Sequence, residues 1–195
     1  MEWVLHQNER LALILRRSYT SSGIEFPTPN SYSQQLGYMN RPAGYVIPPH
    51  VHNPVTREVE FTKEVLFIRS GRVRVDFYTD NQEYLESTIL EAGDVILLAH
   101  GGHGFLMLEP SEIVEVKQGP YVGEKDKSRF QGVAESEVRM RDTTSLQELP
   151  SNGSNTVLEG ERLPSVVPEV RVNGAVKVGS AVSFHQPCAP TRSDC

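Results

Sequence analysis

The chain has 195 residues, 38% of them hydrophobic and 23% charged, which suits a globular protein and excludes a wholly disordered one. Nineteen Lys and Arg against 25 Asp and Glu leave a net charge of −6, the wrong sign for a general nucleic-acid binder. The length allows one domain with a proper core and an appendage. No apolar run approaches the length of a bilayer span, and the run Leu11 to Leu15 is too short for a signal peptide, so a cytoplasmic protein with no membrane partner is expected. Cys188 and Cys195 alone imply no disulfide framework.

In chain order, residues 11–15 and 43–52 read as strands, and 1–17 is the one stretch whose periodicity also admits a helix. Glu64 to Ile68 is a β-rich run. Arg72 to Phe77 alternates strictly, which puts Val73, Val75 and Phe77 on one face and leaves Arg72 and Arg74 on a solvated one. Arg69-Ser70-Gly71 between them predicts a hairpin. Tyr84 to Leu90 and Val95 to Leu98, joined by a turn at Glu91 to Asp94, predict a second pair. Residues 104–108 and 112–117 add strands, and Phe67, Phe77 and Phe105 read as core aromatics. Short strands with frequent turns indicate an all-β sandwich or barrel. In the last strand the alternation fits two arrangements. Either Val114 and Val116 face the core and Lys117 points away, or Ile113 faces in and Glu115 and Lys117 line the interior.

Of the seven Tyr, seven Phe and one Trp, only Phe184 lies beyond residue 130. From about Ser136 the text turns rich in Ser, Thr, Asn, Pro and Gly, with little to offset the entropy of ordering. A domain over 1–135 and a loosely ordered tail over 136–195 are therefore expected.

Four of the six histidines fall in two clusters, His50-Val51-His52 and His100-Gly101-Gly102-His103. Residues i and i+2 of a strand share a face, so His50 and His52 can serve one ion. With a third histidine and a carboxylate they would form a mixed N/O site.

The stretch Gly44, five residues, His50-Val51-His52, then Glu64, six residues, Gly71 resembles the first motif of the cupin superfamily. Gly93-Asp94 running through a strand to His100-Gly101-Gly102-His103 resembles the second. The resemblance implies a single-domain jelly-roll β-barrel with a divalent transition metal (Fe, Mn or Zn) on His50, His52, Glu64 and His103. Eleven residues separate His52 from Glu64, more than the three or four usual in the family. Glu64 is retained because its spacing to the turn glycine Gly71 is intact, with Glu58 and Glu60 as fallback ligands. His100 falls at the bend and is expected to face solvent.

The long loop and the motif departures look like small cupins encoded among surface-polysaccharide and nucleotide-sugar genes. The leading expectation is a metal-binding cupin that isomerises or epimerises a sugar-like small molecule, with Glu115 and Lys117 as candidate catalytic residues. An Fe(II)-dependent dioxygenase and a non-catalytic sugar-binding or regulatory module are the alternatives. A homodimer is expected because Val65 to Ile68 is apolar on both faces.

Overall fold

The structure is a computed structural model and describes residues 1–123 and 126–142. Its strands are β1 (Glu2–His6), β2 (Glu9–Leu15), β3 (Gly23–Glu25), β4 (Tyr38–Asn40), β5 (Glu64–Ser70), β6 (Arg72–Tyr78), β7 (Tyr84–Glu91), β8 (Val95–Leu98), β9 (Gly102–Met107) and β10 (Glu112–Lys117). The all-β expectation holds, and no helix among the described residues is long and apolar enough to cross a membrane. Residues 1–17 form no helix. β1 and β2 make a hairpin whose two loop residues, Gln7 (φ 47°) and Asn8 (φ 71°), both take the left-handed conformation that a tight twisted hairpin needs.

Two antiparallel sheets carry the core. One has the order β1-β2-β8-β5-β10, the other β7-β6-β9, and β3 pairs with β4 in a separate ribbon. Between the two larger sheets, Val4, Ala12, Ile14, Leu66, Ile68, Ile96 and Leu98 meet Val73, Val75, Phe77 and Leu90. No closed barrel forms, because β9 bonds only β6 and β10 bonds only β5 among the described residues.

Both expected hairpins are corrected. β5 and β6 are consecutive but lie in different sheets, as do β7 and β8. Alternation fixes which face of a strand is apolar, not which strand it pairs with. Gly71 (φ 83°) and Gly93 (φ 92°) are corners at which the chain changes sheet, and the true hairpin is β6–β7. The Gly93 corner is tied to β5 by bonds from Gly93 N to Ile68 O and from Ile68 N to Asp94 O. Buried Asp94 accepts from Arg17 N at 2.8 Å and from the Arg16 guanidinium at 3.0 Å, which gives the Gly-Asp turn a structural purpose.

The runs in β2, β5 and β8 are continuous rather than alternating because both of their faces are covered. Leu13, Val65 and Leu97 point outward and pack under Leu36, Tyr32 and Trp3. On the outer face of β5, Val65 is thus buried within the chain, while Phe67 stays 40% exposed. Phe67 and Phe105 are partly exposed, and of the three expected core aromatics only Phe77 is buried.

Arg74 is the opposite of solvated. It is buried on the outer face of β6, bonded to Asp76 at 2.9 Å and to Glu135 at 2.7 Å, with Ser87 donating to Asp76 at 2.5 Å. The segment that covers it is the one just past residue 130. Arg139 O accepts from Ser87 N, Arg141 N donates to Ser87 O, and Arg141 reaches Trp3 O at 2.8 Å. Packed chain therefore continues to 142, and the remainder of the expected tail lies outside the described residues.

Residues 41–62 form no strand and are exposed without a break. The expected strand over 43–52 is absent for a physical reason. Pro42, Pro48, Pro49 and Pro54 remove backbone donors on both sides of the histidines, and a ladder cannot run through them.

Candidate functional site

Glu64 opens β5 and shares its inward face with Leu66 and Ile68. His103 lies opposite Phe77 in the facing sheet and so points inward as well. The two side chains meet across the gap, with His103 Nε2 3.1 Å from Glu64 Oε2. Lys117 is the β10 partner of Glu64, and its Nζ lies 3.5 Å from Glu64 Oε1, 3.4 Å from Glu115 Oε1 and 3.7 Å from Asp126 Oδ2. Ile113 packs on the core, so the second of the two arrangements of β10 is the one adopted. Glu115 and Lys117 accompany it on the inner face.

The hydrogen bond from His103 holds the Glu64 carboxyl below the ordinary glutamate range. Burial opposes this, and the charges of His103 and Lys117 add to it. For Lys117, burial works against the charged form, but the attraction of Glu64 and Glu115 outweighs it and the ammonium is held more firmly. Glu64 is therefore a stable carboxylate between two cation-capable partners.

A second histidine–carboxylate group lies beside the first. His100 sits at the bend after β8, where its backbone N–H and that of Ala99 both donate to Leu11 O. Its Nε2 is 2.9 Å from Asp80 Oδ2 and 3.5 Å from Glu9 Oε2, and its ring meets Phe61 edge-on at 5.2 Å. Donor atoms of Glu9, Asp80 and His100 all lie within 4.8 Å of one another, the geometry of a possible metal site, and among the described residues no other such group of three was found. One imidazole nitrogen with two carboxylates is a mixed N/O donor set, suited to Mn, Fe or Zn. The expectation that His100 faces solvent is corrected.

Glu64 and His103 of the first group and Asp80 and His100 of the second line one cavity of about 350 Å³, together with Asp126 and Lys127, with Glu60 and Phe61 on its wall. It combines carboxylates, imidazoles and an ammonium over an apolar floor at Leu98, a lining suited to a small polar molecule.

The four ligands implied by the resemblance are divided. Glu64 and His103 are in contact, and Glu64 rather than Glu58 or Glu60 makes that contact. His50 and His52 stand on the exposed 41–62 segment, their rings edge-to-face at 5.2 Å and His50 Nδ1 2.9 Å from Pro48 O. They do not join Glu64 and His103 in a group of three donors. The Glu9–Asp80–His100 group was invisible in the sequence because its members come from three separate places: the start of β2, the β6–β7 turn and the bend after β8. Only the sheet topology puts those at one end.

Compared with known proteins, the chain matches no family model, no curated protein and no solved structure.

Proposed function

We propose that this chain is a cupin-type, metal-binding protein that isomerises or epimerises a small polar metabolite of the sugar class. The observation that carries the reading is the convergence of two histidine–carboxylate groups on a single polar cavity. Glu9, Asp80 and His100 would hold a divalent cation, which supplies Lewis-acid stabilisation to the oxygens of a carbonyl or hydroxyl pair. The chain's own contribution to proton transfer lies with the other group. Glu64 stays ionised and orients the His103 ring through Nε2, leaving that imidazole to exchange a proton with the carbon beside the substrate carbonyl. Lys117, braced by Glu64 and Glu115, sets a fixed positive charge near the negative charge that develops. The two-sheet antiparallel frame and the retained contact between Glu64 and His103 support the cupin assignment.

Solvent deuterium exchange tests this directly. Metal-loaded protein incubated in D2O with a panel of aldoses, ketoses and nucleotide sugars should label one compound at the carbon next to its carbonyl. H103A should lose at least ~100-fold of that rate, the range of a general acid–base contribution. Saturable binding of a panel member with no labelling would replace the enzyme by a binding module.

A further inference from the structure

The cavity that Glu64, His103, Asp80 and His100 line carries a marked charge bias. Six carboxylates stand in it or directly against it. Glu60, Glu64, Asp80 and Asp126 belong to its lining, Glu9 lies on the His100 ring, and Glu115 lies on Lys117. Only two ammonium groups oppose them, Lys117 and Lys127, and no arginine lines the cavity among the described residues. With both imidazoles neutral, six negative charges against two ammonium groups and one divalent cation still leave −2.

Five of the six carboxylates are already matched. Glu64, Glu115 and Asp126 share Lys117, and Glu9 and Asp80 flank His100. Glu60 differs from them: it is exposed on the wall and makes no ion pair or hydrogen bond with any other side chain, Lys127 included. A phosphorylated sugar or a nucleotide sugar brings further negative charge, and its recognition calls for arginine forks or clustered lysines. Here it would meet like charge, which costs affinity. A ligand ammonium meets the opposite field and finds an unpaired carboxylate at the wall.

The geometry points to an unphosphorylated amino sugar as the ligand, with Glu60 as the specificity-determining residue that pairs with its ammonium group. The inference rests on the sugar reading of the cavity given above and narrows it to one class of sugar. Phe61, next in the chain and half exposed on the same wall, offers an apolar ring to the C–H face of that ligand.

Calorimetric titration of the full chain, saturated with Mn(II), tests this at low ionic strength and slightly below neutral pH, where a sugar amine is charged. The ligands are glucosamine, galactosamine and mannosamine, each beside its parent hexose and that hexose's 6-phosphate. In the series that fits the cavity, the amino sugar should bind at least ~3-fold more tightly than the hexose, the scale of one exposed ion pair. The 6-phosphate should bind at least ~10-fold more weakly than the hexose. Added salt should shrink both differences. E60Q should abolish the preference for the amine and leave hexose affinity unchanged, and E60K should reverse it in favour of the phosphate. Glu60 is exposed and touches no core cluster, so both variants should keep the wild-type thermal transition. A 6-phosphate bound as tightly as its hexose, or an amine preference unchanged in E60Q, would overturn the inference and leave the sugar reading standing. Binding of no sugar at all would overturn both.

Discussion

Glu64 shows how one carboxylate ties stability to function. Its pKa is lowered in the folded chain, chiefly by the hydrogen bond from His103, so the folded state binds protons less readily there than the unfolded chain does. The stabilisation is therefore fully present above the ordinary glutamate value of about 4.3 and is lost as pH falls from there through the folded pKa. Urea denaturation from pH 7 to pH 3 should show a steeper acid-side loss for wild type than for E64Q. An identical acid limb in both would mean that the contact at 3.1 Å contributes nothing to the folded state. Glu64 and His103 were both singled out in the sequence, but the interval to Gly71 could not fix their contact, because Gly71 is a corner between sheets and not a hairpin turn. The setting of His100 was not legible either, since a residue at a bend takes its neighbours from other turns, and Glu9 and Asp80 are 91 and 20 positions away in the chain. Arg74 misled for a related reason. Alternation put it correctly on the outer face of β6, but the cover that buries it comes from Glu135 and its neighbours.

At the scale of elements, the strands were readable and their pairing was not. Val73, Val75 and Phe77 point inward as the alternation required, and β7, β8 and β10 fall close to their expected limits. What periodicity cannot supply is the change of sheet at each glycine corner. Gly71 shows the constraint most sharply. Its φ is 83°, and a Cβ there would stand 2.2 Å from Ser111 Oγ and 2.4 Å from Pro110 O. G71A should cost about 1–3 kcal/mol from left-handed strain, and more if the β9–β10 turn must move. The same change should loosen the contact between Glu64 and His103, because β5 and β9 are joined through this corner and β6. An unchanged denaturation midpoint would show that the corner relaxes freely.

For the whole molecule, the sequence drew the domain boundary from aromatic content, whereas the packed segment runs on to 142 through polar contacts. Arg139 and Arg141 extend the β7 edge by two backbone bonds to Ser87, and Arg141 adds an ion pair with Glu86 and a bond to Trp3 O. Such contacts leave no hydrophobic signature, so composition could not reveal them. A chain ending at 135 should melt several degrees below one ending at 142, reflecting about 2–3 kcal/mol from those bonds. Equal midpoints would return the boundary to 135.

Glu9, Asp80 and His100 are proposed to hold a divalent cation. Metal analysis of protein purified without an affinity tag, run side by side on wild type, H100A, H103A and H52A, tests it most directly. The account predicts about one bound divalent ion per chain in wild type, H103A and H52A, and loss of that ion in H100A. Metal retained in H100A and lost in H52A and H103A would contradict it, placing the ion instead on the ligands that the motif resemblance implied.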